Sequence, residues 1–288
     1  MRRIAAVVVA LCAFSALAQN DPFTLGKAAL EKNDADAAAT YLEKAVAQQP
    51  NNALYHYWLG SAYGTQAQKA SLFGQARLAG KVKDEFERAV QLDPNLLDAR
   101  MGLIDFYTMA PAIMGGSEEK AMQQAAEIKK RDSLQGHRAM VRIYSRQKKT
   151  DLARNEWLAA VKEQPTSAKA HNGLAGFYLG VDKNTAAAMT EAEAAVKADP
   201  GYMPAWFRVG QVAANAGTNL PRGEEAMKKY LAHKPGENEP GLADANYWLG
   251  MIYEKMGRKA EAKASYQAAL KLAPQSKTIA EAVKRVSS

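Results

Sequence analysis

The stretch that decides the fold runs from Asn246 to Pro274 and reads NYWLGMIYEKMGRKAEAKASYQAALKLAP. It predicts two helices joined by a turn at Gly257, because Gly readily ends a helix in a left-handed conformation. Two small residues, Gly250 and Ala262, would let the two backbones approach closely. Pro274 follows a last turn that carries Lys, which is typical of a helix end. We therefore expect an antiparallel pair of helices.

The order of large and small residues in this stretch resembles the tetratricopeptide repeat, a helix–turn–helix unit of 34 residues. That family carries Leu, Gly and Tyr at positions 7, 8 and 11, then Ala, an aromatic residue, Ala and Pro at positions 20, 24, 27 and 32. The residues in these slots here are Leu249, Gly250, Tyr253, Ala262, Tyr266, Ala269 and Pro274. Only position 4 departs from the pattern, because Asn246 stands where the family has a large residue.

The same pattern recurs along the chain. The segment YHYWLGSAYG, which contains Leu59, Gly60 and Tyr63, nearly repeats NYWLGMIYE. Earlier units are marked by their closing prolines, Pro50, Pro94, Pro165, Pro200 and Pro235, whereas the third unit has Ser133 near that place. Two insertions interrupt the array, near residues 65–74 and 110–117. The recurrence makes the resemblance a prediction of the whole fold.

The resemblance implies an all-α fold, a right-handed superhelical solenoid of about seven units over residues 19–274. A hairpin of helices cannot bury its apolar stripe alone, so each unit would cover its neighbour. Residues 275–288 would form a C-terminal capping helix, begun by Ser276, with Ile279, Val283 and Val286 on one stripe. In the first unit, Asp36 is expected to cap the second helix. In the second insertion, the Ile113-Met114 pair requires burial or a partner, and packing onto the neighbouring repeat is favoured.

Residues 1–18 have the features of a secretory signal peptide. Arg2 and Arg3 provide a basic start, the 14 residues from Ile4 to Leu17 are apolar, and Ala16-Leu17-Ala18 is a small-x-small cleavage site. The apolar run is short for crossing a bilayer. We expect cleavage after Ala18 and a mature protein that is periplasmic, or secreted, and has no membrane span.

The single Cys of the chain, Cys12, lies in the predicted signal peptide. A lipoprotein would carry its lipid on Cys12, but bulky Leu11 precedes it where such signals resemble one another in having Gly or Ala. After cleavage no Cys is left, which excludes a disulfide framework. The formal net charge of +8 becomes +6 without Arg2 and Arg3. Because the charge is spread through an exported chain, we expect a solvated basic surface and no nucleic-acid partner, with weak attraction to an anionic envelope surface as the alternative.

The resemblance also implies where a partner binds. In the family, the inner face of the superhelix is built mainly by the first helix of each unit, and it commonly holds an extended peptide or a helix of another protein. Positions 5 and 9 of the first helices would therefore meet the partner, and aromatic, Met and Arg side chains suit that role. The candidates at these positions are Tyr57, Met101, Arg138, Arg142, Phe207, Tyr247 and Met251.

Two of these candidates are cations on one helix face. Arg138 and Arg142 are four residues apart and would together hold a carboxylate of the partner. The alternative is that they are ordinary solvated charges paired with nearby Asp or Glu. Some family members bind C-terminal carboxylates through Lys and Asn at positions 5 and 9, Asn at 6, then Lys and Arg at 2 and 6 of three consecutive units. No three units here supply that set; Lys169 and Arg208 match single slots in different units.

The sequence predicts no enzyme, no metal site and no cofactor. Three of the four His, His56, His137 and His171, occupy the same repeat slot, position 4, which indicates packing. No HExxH, GxSxG, GxxxxGK[ST] or GxGxxG motif is present. The carboxylates, such as Glu118, Glu119, Glu191, Glu193, Glu224 and Glu225, are expected on solvated helix faces.

These observations favour a non-catalytic scaffold of the bacterial cell envelope that binds a protein or peptide partner. Two alternatives belong to other classes. One is an enzyme or metal-binding protein whose site lies in the two insertions. The other is a structural array that self-associates through its first unit or its capping helix. The identity of the partner and the oligomeric state are not contained in the sequence.

Overall fold

The computed structural model describes residues 21–287, so the predicted signal peptide, 1–18, lies outside the described residues. Residues 21–287 form fifteen α-helices and one short 3-10 helix, and they contain no strand. The prediction of an all-α helical-repeat solenoid is confirmed. The helices group into two compact units, whose boundary lies between Lys149 and Thr150.

Unit 1, residues 21–149, contains seven α-helices and the 3-10 helix. Its helices are α1 (Pro22–Glu31), α2 (Ala35–Gln48), α3 (Ala53–Lys69), α4 (Leu72–Leu92), α5 (Leu97–Met109), α6 (Glu118–Lys129) and α7 (Ser133–Arg146), with the 3-10 helix (Ala112–Met114) between α5 and α6. Sequential helices pack against one another, and α1, α3, α5 and α7 also contact in that order. One apolar core runs through the unit.

Unit 2, residues 150–287, repeats this arrangement. Its helices are α8 (Thr150–Glu163), α9 (Ala168–Gly180), α10 (Thr185–Ala198), α11 (Met203–Ala216), α12 (Leu220–Leu231), α13 (Leu242–Lys255), α14 (Lys259–Leu272) and α15 (Lys277–Ser287). The helices α9, α11 and α13 contact in series, as the first helices of unit 1 do. Two apolar clusters form the core.

The turns inside the hairpins use residues in a left-handed conformation. Asn33 ends the α1–α2 turn with φ of 59°, and Gly257 ends the α13–α14 turn with φ of 75°. The second helix of the first repeat is capped by Asp34, whose side chain accepts a hydrogen bond from the amide of Ala37 at 3.1 Å. The expectation that Asp36 caps this helix is therefore wrong. Asp36 lies in the first turn, where a carboxylate is favoured by the helix dipole.

The backbones of each hairpin approach closely where the sequence places Gly. A Cβ added to Gly250 would lie 2.6 Å from Cδ1 and Cε1 of Tyr266 on the facing helix. Tyr266 is fully buried, so it has little freedom to move away. Gly250 therefore allows the close approach of α13 and α14 that the sequence predicts, and Tyr266 fills the space beside it.

The insertion near residues 65–74 lengthens both helices of the second repeat. α3 has 17 residues and α4 has 21, against 14 in each of α13 and α14. In the second insertion, Ser117 begins α6 by accepting from the amide of Lys120 at 3.2 Å. The Ile113-Met114 pair is divided: Met114 packs on the core of unit 1, whereas Ile113 is 94% exposed. Only Met114 follows the expected packing.

In four of the first helices, the residue at position 4 donates a hydrogen bond to a proline carbonyl six residues earlier. The donor–acceptor pairs are His56–Pro50 at 2.9 Å, Arg100–Pro94 at 3.0 Å, His171–Pro165 at 3.0 Å and Trp206–Pro200 at 3.0 Å. Each bond ties a first helix to the loop that enters it. The repeat slot of the histidines is therefore a structural link between successive repeats.

The C-terminal helix, α15, packs on α14 and buries Ile279, Ala282 and Val286. The hydroxyl oxygen of Ser276 accepts a 3.4 Å hydrogen bond from the amide of Ile279 at the start of this helix. Arg285 anchors it further, because Nε and Nη2 donate to the Glu254 carboxylate at 2.7 and 2.8 Å. Among the described helices, none combines the length and the apolar composition that crossing a bilayer requires.

Candidate protein-binding face

We call the surface at positions 5 and 9 of the first helices the first-helix face. In unit 1 these helices are α1, α3, α5 and α7, and in unit 2 they are α9, α11 and α13. Because adjacent first helices contact one another, their position-5 and position-9 side chains form neighbouring rows within each unit. All seven candidate residues lie on this face, four in unit 1 and three in unit 2.

Tyr57 and Met101 are half-buried on the face of unit 1. The Tyr57 ring packs at 6.1 Å from Phe86 and at 5.4 Å from Trp58. Burial raises the pKa of Tyr57, and the nearby carboxylates of Asp98 and Asp105 add to the rise. Both candidates contribute to the core of unit 1 and keep part of their surface in solvent.

The two candidate arginines of unit 1, Arg138 and Arg142, are exposed, but they have different partners. Arg142 holds the Asp105 carboxylate through Nε and Nη2 at 2.5 and 2.6 Å. Arg146 donates to the same carboxylate at 2.8 Å. Arg138 donates from Nη1 to the side chain of Gln135 at 3.0 Å. The alternative considered from the sequence, pairing with a nearby Asp, thus describes Arg142, whereas Arg138 has no carboxylate partner among residues 21–287.

Phe207 occupies a different environment from the other aromatic candidates. Its ring is 5% exposed and packs edge-on against Tyr230 at 5.2 Å. Tyr230 is fully buried at a slot where the repeat pattern has Ala, so it covers the ring of Phe207 from below. The placement makes Phe207 a core residue of unit 2 and leaves little of its ring for a partner.

Tyr247 and Met251 are one helical turn apart on α13, and both are half-buried. The Tyr247 ring packs at 5.5 Å from Trp248 and at 5.7 Å from Tyr266. Both side chains border the second apolar cluster of unit 2 and are not enclosed by it. They form the apolar part of the face in unit 2.

Asp105 occupies a position of the face in the repeat pattern, but it was not among the candidate residues. Asp105 and Arg142 both stand at position 9, in consecutive repeats, and the insertion places them 37 residues apart. Position-9 side chains of consecutive first helices are neighbours. The opposite charges at these two positions of the sequence could therefore have predicted the ion pair. The face of unit 1 therefore contains an ion-pair cluster of one carboxylate and two guanidinium groups.

Two of the carboxylates named from the sequence, Glu193 and Glu224, are paired with Lys or Arg side chains. Glu193 pairs with Arg222 at 2.8 Å, and Glu224 pairs with Lys228 and Arg258. Burial alone would raise the pKa of Glu224, but hydrogen bonds from Lys228, Arg258 and Tyr253 together lower it below its ordinary value. Within the described part of the chain, no group of three or more His, Cys, Asp or Glu is placed to hold a metal ion.

Comparisons with known proteins agree with this architecture. Two sequence profiles described as tetratricopeptide repeat match the chain, one at residues 243–276 and the other at residues 23–69 and 138–202. No curated protein matches the chain. Among solved structures, a tetratricopeptide repeat protein from Parabacteroides merdae ATCC 43184 has a TM-score of 0.51 at 14% identity, and the match covers 91% of this chain and 96% of that chain.

Two larger proteins contain a similar array. The human IFIT1 dimer with PPP-AAAA has a TM-score of 0.56 at 19% identity, with 88% of this chain and 59% of that chain covered. The APC/C hetero-tetramer Cut9-Hcn1 has a TM-score of 0.51 at 13% identity, with 92% and 48% covered. The chain thus spans less than two thirds of these relatives' length. At such identities the likeness concerns the fold alone.

Proposed function

The chain belongs to the tetratricopeptide repeat family, and on that premise we propose that it is a non-catalytic scaffold of the bacterial cell envelope that binds a protein or peptide on its first-helix face. Stacked helical repeats serve in general as protein-interaction scaffolds. Stacking buries the sides of each hairpin against its neighbours, and one face of the array stays exposed to a partner. The proposal assigns that face the role of recognition.

The observation that carries the proposal is the composition of the first-helix face. Tyr57, Tyr247 and Met251 are half-buried, so their rings and thioether are held in place by the core while one side meets solvent. Rigid aromatic side chains with an exposed face lose little conformational entropy on binding, which is why they dominate interface energies. The exposed guanidinium of Arg138 adds a donor for a carboxylate beside them.

The envelope location rests on the sequence of residues 1–18. A basic start, an apolar run and a small-x-small site ending at Ala18 together favour export and cleavage. Mass spectrometry of the protein purified from its native cell tests this part: a mature chain that begins at Gln19 in the periplasmic fraction supports it. A chain that retains Met1 in the cytoplasmic fraction refutes it.

Affinity purification from envelope extract tests the binding role. Arg138→Glu with Met251→Glu changes the charge of the face in both units without removing a buried ring. The matched control is Asp84→Lys with Lys271→Glu, which alters exposed second-helix positions. We expect a partner that is recovered by the wild-type chain and by the control but lost at least tenfold by the face variant. Recovery that is equal for both variants contradicts the role of this face.

A further inference from the structure

The four most exposed large apolar side chains among residues 21–287 all lie in or directly beside the two insertions of unit 1. Leu72 and Phe73, in the first turn of α4, are 67% and 89% exposed. Met109, at the end of α5, is 57% exposed, and Ile113, in the 3-10 helix, is 94% exposed. Single apolar residues on a surface are ordinary, but a group of them marks an interaction site. We call these four residues the insertion edge.

The two insertions lie at the same end of unit 1. Hairpins that stack in series have the turns between their first and second helices at a common end of the array. The 3-10 helix also contacts α4. Ala70, at the end of α3, and Ala110, at the end of α5, border the same apolar core. The insertion edge is therefore one surface, formed by two neighbouring repeats.

Backbone hydrogen bonds hold Ile113 in its outward position. The amide of Met114 donates to the carbonyl of Pro111 at 2.8 Å. The amide of Ser117 donates to the carbonyl of Tyr107 at 2.9 Å and closes the insertion. Met114 packs on the core of unit 1 and fixes the turn from the inside. The exposure of Ile113 is thus a property of a closed turn, and a partner that covered it would remove an unfavourable contact with water.

Cations surround the apolar side chains of α4. Residues 44–83 contain five Lys or Arg and no Asp or Glu. Arg77 and Lys81 follow Phe73 at the fourth and eighth positions, and all three side chains are exposed. Residues at this spacing share one face of a helix. The outer face of α4 therefore begins with an apolar tip and continues with two cations.

The carboxylates of the neighbouring first repeat are already engaged. Asp34 caps α2, and Asp36 accepts a hydrogen bond from the side chain of Gln66 at 2.8 Å. Glu43 pairs with Lys81 at 3.8 Å, and because both side chains are about half exposed this pair is weak. Arg77 makes no ion pair within residues 21–287. Positive charge beside Phe73 thus remains available to an anionic surface.

The shape and size of the insertion edge favour a bilayer over a protein. About nine tenths of Phe73 and of Ile113 is in solvent, which places them at convex tips, because the walls of a pocket would cover part of each ring or chain. Hot spots between proteins lie in packed, desolvated pockets. At roughly 200 Å² for a large side chain, the four residues expose about 600 Å² together. Each partner in a stable protein interface contributes about 800 Å².

We propose that the insertion edge docks unit 1 on the surface of a bilayer that contains anionic phospholipid. The four apolar side chains enter the boundary between headgroups and acyl chains, and Arg77 and Lys81 contact the phosphates. The docking is peripheral. It goes beyond the proposed function and does not depend on it, because the insertion edge lies at the turn ends of the helices and not at positions 5 and 9.

Flotation with vesicles of phosphatidylcholine and phosphatidylglycerol tests the proposal on the protein purified from its native cell. The edge variant is Phe73→Ser with Ile113→Ser. The matched control is Val181→Ser with Leu272→Ser, since these side chains of unit 2 are 49% and 56% exposed. We expect the edge variant to bind about tenfold or more weakly than the wild type and the control to stay within twofold. Equal binding by both variants overturns the proposal.

Two further comparisons guard this result. Residues 1–18, where a chain retains them, are the same in both variants and cannot produce the difference. The urea midpoint of the edge variant should equal that of the wild type, because both replaced side chains are exposed. If it falls, Ile113→Ser alone is used, and its vesicle binding decides between the two outcomes.

The role of the cations is tested by the composition of the vesicle. Arg77→Gln should weaken binding to the mixed vesicles about fivefold and leave binding to phosphatidylcholine alone unchanged. The control is Lys197→Gln, at an exposed position of α10, which should change neither. Equal affinity of the wild type for the two kinds of vesicle refutes an anionic surface as the occupant.

The other occupants give different results. A wild-type dimer in sedimentation velocity without lipid that the edge variant dissociates would assign the edge to a second copy and overturn the proposal. An edge variant that binds vesicles normally but loses a protein in affinity purification would assign it to a protein and also overturn it. If vesicles bind at the edge but no protein partner is recovered, the proposed function fails while this inference stands; the reverse result refutes only the inference.

Discussion

The indole nitrogen of Trp206 donates a hydrogen bond to the carbonyl oxygen of Pro200 at 3.0 Å. The same bond, from a different donor, is made by His56, Arg100 and His171 at the same slot of their repeats. Three different residue types, His, Arg and Trp, thus satisfy a proline carbonyl beside a helix start in four repeats. The conserved element across these repeats is the bond and not the residue type.

Removal of this donor alone should weaken unit 2. Replacing Trp206 by its benzothiophene isostere keeps the shape of the ring and deletes the N–H. The free energy of unfolding should fall by about 1–2 kcal/mol, since a bond is lost and a carbonyl is left without its partner. Urea unfolding measures the change. The same replacement at Trp248, whose indole nitrogen makes no hydrogen bond within residues 21–287, should change stability by less than about 0.5 kcal/mol; an equal loss at both sites would contradict the role of the bond.

Two glycine substitutions should change the stability of the protein in opposite directions. Gly250→Ala places a Cβ 2.6 Å from the buried ring of Tyr266, and overpacking of this kind costs about 1–3 kcal/mol. Gly80→Ala lies on α4 with no other atom within 4 Å, so the lower entropy of the unfolded chain should stabilise the protein by about 0.5–1 kcal/mol. Thermal unfolding of the two variants provides the comparison. Destabilisation by Gly80→Ala would show that the packing around α4 is misassigned.

The docking of the capping helix should depend on pH. Hydrogen bonds from Arg285, followed by those from Tyr266, lower the pKa of Glu254 although burial opposes them. A carboxyl whose pKa is lowered by folding stabilises the protein fully above its ordinary pKa of 4.5 and loses that contribution as the pH falls through the lowered value. Glu254→Gln should therefore reduce stability by about 1 kcal/mol at pH 7, with a difference from the wild type that shrinks toward pH 3.

The control for this titration is Glu237→Gln, because Glu237 is exposed and makes no ion pair in the described part of the chain. Its stability should follow the wild type from pH 7 to pH 3. A difference between Glu254→Gln and the wild type that grows on acidification would reverse the assigned sign and refute the role of the Arg285 contact.

In the ion-pair cluster of unit 1, Asp105 occupies the arginine side chains that a carboxylate of a partner could otherwise bind. Asp105→Asn should cost less than about 1 kcal/mol of stability, because the pairs are partly exposed. The same change frees the guanidinium groups of Arg142 and Arg146 for an external carboxylate. If Arg142 takes part in recognition, an acidic partner should bind the variant more tightly, as isothermal titration calorimetry measures. Unchanged affinity would assign Arg142 to the folded structure alone.

Most of the fold could be predicted from the sequence, because characteristic residues recur at fixed positions of each repeat. Gly250 and Ala262 were expected to let the two helices of one hairpin approach closely, and the structure shows this approach with Tyr266 packed against Gly250. The N-cap was misplaced by two residues in α2, since Asp34 and Asp36 are equally good caps and only the turn geometry at Asn33 chooses between them. The lengths of α3 and α4 also needed the structure, because an insertion has no slot in the pattern.

The candidate site was harder to predict from the sequence, because the exposure of a side chain depends on which residues of the neighbouring helices pack against it. Phe207 and Tyr247 occupy the same slot, yet Phe207 is enclosed because Tyr230 fills a position that is small in other repeats. Arg208 appeared only as an isolated match to a family clamp. The Arg208 guanidinium occupies the space beside Gly176 of the neighbouring helix, and such a placement depends on two helices together.

The most direct measurement of the central claim is a photo-crosslinking scan in the native cell. The crosslinking residue is placed at Tyr57, Arg138 and Met251 on the first-helix face. It is also placed at the exposed second-helix positions Asp84, Lys197 and Lys271. The account predicts a discrete protein adduct from the first-helix face and none from the second-helix positions. Adducts confined to the second-helix positions would contradict it.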